Sequence, residues 1–94
     1  MNVALTDAAQ EDLADIYNYY AERSPSGADR VVGTILSAIN SLALFPHIGR
    51  PGDVPQTRER IVTRYPYRIV YHIAGDTIEI WRIVHVARQW PPVE

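Results

Sequence analysis

Cysteine is absent from the chain, and so is lysine. The first absence removes disulfides, thiolate nucleophiles and Cys-based zinc sites. The second removes lysine as a proton-transfer group and leaves nine arginines as the whole basic complement. Their planar forks suit carboxylates, phosphates and aromatic faces. No apolar run approaches the ~18 residues that a membrane-crossing helix needs. The opening MNVALTDAAQ has neither the basic flank nor the apolar run of a signal peptide, so a cytoplasmic protein with no membrane association is expected. A Gly-rich phosphate loop, a GxSxG elbow and an HExxH pair are all missing, which sets aside nucleotide hydrolysis, serine hydrolysis and zinc proteolysis. His47, His72 and His85 lack any metal-ligand spacing, so neither a metal nor a cofactor is expected.

What is present describes a folded chain. Apolar residues make up 47% and charged residues 21%, inside the range of globular proteins. Residues 1–94 read as a single domain. The net charge of -2 is unevenly spread. Six acids face two arginines through Pro46, net -4, whereas five acids face seven arginines from His47 onward, net +2.

Residues 2–5, NVAL, suit a short edge strand. Thr6 or Asp7 then offers an N-cap, with Asp7 and Gln10 at capping-box spacing. Leu13, Ile16, Tyr17 and Tyr20 recur every three or four residues, which predicts an amphipathic helix over about 7–23. SPSG breaks it, and Ser26 with Asp29 forms a second capping-box pattern. The stripe Ala28, Val31, Val32, Ile35, Leu36, Ile39, Leu42, Ala43 predicts a second helix over about 27–44, ended by Pro46. So short a connection predicts an antiparallel helical hairpin.

After the loop HIGRPGDVPQ come RERIVTRY, YRIVYHI and TIEIWRIVHV, three strand-like runs. Pro66 divides the first two and AGD makes a hairpin between the last two. The expected fold is α+β: an N-terminal helical hairpin packed on a three- to four-stranded antiparallel sheet. If the AGD turn holds an even number of residues, Tyr67, Ile69, Tyr71 and Ile73 share a face with Ile78, Ile80, Arg82 and Val84 beneath the helices. Arg68, Val70, His72, Glu79, Trp81, Ile83 and His85 then share the outer face.

On that outer face Arg68, His85 and Arg88 form the most suggestive set. Arginines beside an imidazole can hold a phosphodiester while the ring moves a proton, a nuclease-like arrangement. The competing structural reading pairs Arg68 with Glu79 or stacks it on Trp81, and lets His85 end a strand. Trp81 and Trp90 are either partner anchors or core closers. Arg58, Arg60 and Arg64 put positive charge on an exposed strand, which protects an edge.

IGRPG after two helices, then YPYRIVYHI, DTIEIWRIVHVAR and a terminal tryptophan, resembles the ParE/RelE superfamily of bacterial toxins, and within it the ParE branch. The resemblance covers nearly the whole chain. It implies the toxic half of a type II toxin-antitoxin module, neutralised in a hetero-oligomer by a cognate antitoxin encoded alongside. Tyr17, Tyr20, Trp81 and Ile83 are the antitoxin-contact candidates. ParE-like members imply inhibition of DNA gyrase, with Arg68, His85, Arg88 and Trp90 as target-contact candidates and no sequence-specific DNA binding by this chain alone. RelE-like members imply a ribosome-dependent mRNA endonuclease instead, in which Arg68, His85 and Arg88 would be catalytic. An inactive toxin-like interaction module is the third option. The absence of lysine and the net charge of -2 weigh against ribosome binding.

Overall fold

The computed structural model describes residues 1–92. Strand β1 (Asn2–Leu5) leads into helices α1 (Asp7–Ala21) and α2 (Pro25–Leu42), which are followed by β2 (Arg50–Pro51), β3 (Arg58–Val62), β4 (Tyr67–Ala74) and β5 (Thr77–His85). The helical hairpin lies against one sheet, as expected, and the fold is α+β. The sheet is larger and less uniform than expected: five strands in the order β1-β5-β4-β3-β2, with β1 parallel to β5 and the other pairs antiparallel. A chain that leaves β1 through two helices can return beside it in the same direction, which a local hairpin cannot do.

Both helices begin on a hydroxyl cap. Thr6 Oγ1 accepts from the Ala9 N–H at 3.1 Å, and Ser24 Oγ accepts from the Gly27 N–H at 3.1 Å, with Pro25 in the first turn. The second cap is therefore Ser24 rather than Ser26. Gln10 turns back to donate to the Leu5 carbonyl, so no reciprocal box forms with Asp7. From α2, Val31, Ile35, Ile39 and Leu42 bury themselves on Tyr67, Ile69, Tyr71, Ile78 and Ile80 of the sheet. Each fully buried aliphatic side chain stabilises the fold by about 1.5–3 kcal/mol.

The β4–β5 turn holds two residues, Gly75 and Asp76, between the paired Ala74 and Thr77, and Gly75 takes φ +61°, a left-handed value suited to glycine. The even turn puts Tyr71 opposite Ile80 and Ile73 opposite Ile78 on the helix side, as expected. Then the register shifts. Val70 faces Arg82, leaving Trp81 as an extra residue in β5. A one-residue bulge sends every later side chain to the other face. Ile83 therefore lies opposite Ile69 in the core and His85 opposite Tyr67, whereas Arg82 and Val84 lie opposite Val70 and Arg68. The bulge keeps the Arg82 guanidinium out from under the helices and puts an isoleucine there instead.

Candidate functional site

The end of β5 and the segment after it gather most of the residues singled out by the sequence. On the side away from β4, the backbone of β5 beyond Ile80 has no strand beside it, because β1 ends at Leu5. Side chains from the start of α1 take that place. The Thr6 hydroxyl donates to the Trp81 carbonyl at 2.9 Å, and Asp12 Oδ2 accepts from the Ile83 N–H at 2.9 Å. The same carboxylate receives Arg82 in a two-pronged contact, Nε at 2.8 Å and a terminal nitrogen at 2.9 Å. Asp12 holds the Arg82 pKa above its ordinary value, so the guanidinium stays charged. Arg82 also lies 5.5 Å from the centre of the Trp90 ring, tying the C-terminal segment to α1. Replacing Asp12 by alanine leaves three N–H donors without their acceptor; it is expected to cost about 2–3 kcal/mol, read as a lowered denaturation midpoint in urea. A loss under about 0.5 kcal/mol would show this clamp to be unimportant.

Arg68 and His85 do not meet. They sit on opposite faces of the sheet, which overturns the shared outer surface expected from an unbroken register. His85 faces the helix side, its ring 5.4 Å from that of Tyr67 at an interplanar angle of 82°. Its Nδ1 accepts from the Ala87 N–H at 3.0 Å, so the neutral ring carries its proton on Nε2. Burial and the neighbouring Tyr20 hydroxyl push the Tyr67 phenol well above its ordinary range, which keeps it protonated. Asp12, Asp15, Tyr19, Tyr67, His85 and Arg88 line an open hollow of about 450 Å³ here.

Arg68 lies on the other side, half-hidden, with one guanidinium nitrogen 3.2 Å from Glu59 and the other donating to the Val86 carbonyl at 3.1 Å. Its partner is thus Glu59 on β3, neither Glu79 nor Trp81. Glu59 is only 2% exposed, and Arg50 and the Asp53 N–H approach it at 3.5 Å. Trp81 lies by His72 on the outer face, and its indole donates to Glu79 at 3.2 Å. Trp90 is half-buried, with its Nε1 lacking a partner among the described residues. Arg88 is exposed.

The antitoxin-contact candidates are divided as well. Tyr17 is exposed on α1, and Tyr20 packs on the core beside Tyr19 and Tyr65. Ile83 is 4% exposed in the core and offers no surface, because the bulge turned it inward. Two residues that organise the region, Asp12 and Glu59, were not singled out in the sequence. Asp12 is one acid among several on α1 and carries no local signal. Glu59 did carry one, as the lone acid among arginines in RERIV. Among the described residues no cluster of three His, Cys, Asp or Glu side chains is placed to hold a metal ion.

Comparisons with known proteins agree with this architecture. Residues 3–90 match the family model described as the ParE toxin of type II toxin-antitoxin system, parDE. The Sinorhizobium fredii protein Y4kP is 41% identical over 81 residues, spanning 86% of this chain and 83% of the relative. Toxin RelE2 of Caulobacter vibrioides is 36% identical over 86 residues, spanning 92% and 96%. Among solved structures, the chromosomal ParDE TA system from P. aeruginosa superposes with a TM-score of 0.83 at 30% identity, covering 92% of this chain and 96% of the other. The YoeB-YefM complex from Staphylococcus aureus, at 16% identity and a TM-score of 0.60 over 90% of this chain and 95% of that one, shares the fold.

Proposed function

The chain belongs to the ParE toxin family of type II toxin-antitoxin systems, and from that premise we propose that it inhibits DNA gyrase and is itself held inactive by a protein antitoxin. The observation that supports this reading over RNA cleavage is the separation of Arg68 from His85 on opposite sheet faces. A nuclease needs its proton-transfer group and its phosphate-binding cations around one reacting phosphate. Here the Arg68 guanidinium is held by Glu59 and the Val86 carbonyl, whereas His85 lies on the helix side with its Nδ1 accepting from the Ala87 N–H. Inhibition by binding needs no such convergence.

The contact surface in this reading is the segment after β5, with His85, Arg88 and Trp90. Arg68 acts as a positioning residue, because it anchors the Val86 carbonyl while the Val86 N–H donates to the Pro66 carbonyl at 2.8 Å. An exposed arginine on this segment is suited to an acidic protein surface or to DNA held by the enzyme. Supercoiling by purified gyrase is the direct test. The chain is expected to inhibit it, and Arg88→Glu is expected to weaken inhibition at least ~10-fold, a loss of about 1.4 kcal/mol, with the melting temperature nearly unchanged. If gyrase is untouched and translated mRNA is cut, the nuclease reading replaces this one.

A further inference from the structure

Helix α2 carries two stripes. Val31, Ile35, Ile39 and Leu42 are buried in the core, whereas Arg30, Thr34, Ser37 and Ser41 recur at helical spacing along another side. That second stripe is short, neutral side chains behind one arginine. Opposite it stands Arg60, which lies on the helix side of the sheet because it pairs in register with the core residue Ile69, and Arg64 follows just past the end of β3. An open groove of about 560 Å³ runs between them. From Arg30 to Ser41 the helix rises about 16 Å. Gly33 leaves the middle of this path clear, since a Cβ there would meet nothing within 4 Å.

The groove has the opposite charge to the chain as a whole: its lining holds Arg30, Arg60 and Arg64 against Asp29. The three ion pairs among the described residues involve Arg50, Arg68 and Arg82, so none of the groove arginines has a carboxylate partner there. Arg60 donates to the Ser41 hydroxyl, which ties its guanidinium to α2 without neutralising it. Uncompensated guanidinium forks along a path of small neutral side chains fit phosphate oxygens. An acidic peptide fits less well. Beyond β2 the edge of β3 offers the backbone groups of Ile61 alone, and among the apolar groups of the lining Ala38 and Val62 are already buried, while Ile61 lies opposite Arg68 on the other face.

We infer that this groove holds the phosphate backbone of a DNA strand, with consecutive phosphates set against Arg30, Arg60 and Arg64. It is a second contact surface, built from α2 and β3 rather than from the segment after β5. Contacts to phosphate position a protein without reading sequence, so base composition should not matter. The inference rests on the reading that the target is an enzyme at work on DNA.

A fluorescein-labelled oligonucleotide of twelve thymidylates tests this against the full-length chain by fluorescence anisotropy. Binding with a Kd of about 100 μM or tighter is expected at about 50 mM salt. Three phosphate contacts predict that log K falls with log salt at a slope of about -2. The double variant Arg60→Glu/Arg64→Glu is expected to lose at least ~10-fold in affinity, and Arg30→Glu to weaken binding more than Arg23→Glu, which changes the net charge equally outside the groove. In the unmodified chain, the side-chain Nε–H resonances of Arg60 and Arg64 are expected to shift when the oligonucleotide is added, a readout independent of any variant's folding. No binding overturns the inference, as does binding that leaves those resonances unmoved. Equal or tighter binding of pyrophosphate would make this a site for a free anion, and of a glutamate peptide, a protein site; either result overturns the strand. So does a preference of ~10-fold or more for the matching RNA. Gyrase inhibition is read separately: a chain that inhibits gyrase without binding the oligonucleotide sinks this inference alone, and one that binds it but spares gyrase sinks only the target.

Discussion

Glu59→Ala is expected to lower stability by about 3 kcal/mol, equivalent to a fall of roughly 12–24 °C in melting temperature for a domain of this size. The carboxylate is 1% exposed in its side chain and receives Arg68 at 3.2 Å, Arg50 at 3.5 Å and the Asp53 N–H at 3.5 Å. Removing one member of a buried pair costs about 3–5 kcal/mol, mostly because the other charge is left without compensation. Arg68 is 15% exposed and keeps the Val86 carbonyl, which places the loss at the lower end. Arg68→Ala should cost more, since it strands the more deeply buried partner. The double variant Glu59→Met/Arg68→Met should recover much of the loss, because it leaves no unpaired charge. Thermal unfolding of the unmodified chain, Glu59→Met, Arg68→Met and the double methionine variant gives the coupling directly. If the two single variants add without interaction, the pair is not the unit described here. Because Arg68 anchors Val86, the same change should also loosen the segment bearing Arg88 and Trp90. Lost gyrase inhibition in an Arg68 variant therefore does not make Arg68 a contact.

Gly49→Ala carries the second large effect, and its cause is space. A Cβ on Gly49 would lie 2.6 Å from the Tyr71 hydroxyl, 2.8 Å from Tyr71 Cε1 and 2.9 Å from the Glu59 carbonyl oxygen. Tyr71 cannot move aside. It is fully buried, donates to the Pro46 carbonyl at 2.7 Å and accepts from the Gly49 N–H at 3.0 Å. Overpacking of this kind costs about 1–3 kcal/mol, and here it also breaks the two hydrogen bonds that hold the loop after α2 onto the sheet, so about 3 kcal/mol is expected. Tyr71→Phe alone is expected to cost about 1–2 kcal/mol through the stranded Gly49 N–H and Pro46 carbonyl. The double variant should cost less than the sum, since phenylalanine lacks the atom nearest the added methyl. Strict additivity in urea denaturation would argue against this account of the clash. Arg58 fastens the same loop, donating to the Gly49 and His47 carbonyls at 2.9 and 3.2 Å. It is thus a loop tether more than the edge charge read from the sequence.

The clash at Gly49 explains why IGRPG reads as a signature. Its first glycine lets the loop backbone close on a tyrosine from YRIVY, two motifs separated by 22 positions in the chain. The sequence presents both motifs. It does not show that one is the socket of the other, because that contact exists only after the sheet has formed.

The helices, the strand runs and the short even turn at Gly75 were legible because each follows from a local rule: apolar period, capping hydroxyl, glycine at a turn. The family resemblance was legible for the same reason, since its motifs are short and contiguous. The functional surface was not. One extra residue at Trp81 reverses the facing of every later position in β5, and nothing local in TIEIWRIVHV distinguishes a bulge from unbroken alternation. What decides it is the competition between Arg82 and Ile83 for the space under the helices, together with Asp12, which is 70 positions from Arg82 and waits at the sheet edge to receive it. The order of residues alone settled which elements form. Which side of the sheet His85 and Arg68 occupy was settled only when α1 packed against β5, because the free energy of burying one side chain and pairing another is a property of the assembled layers.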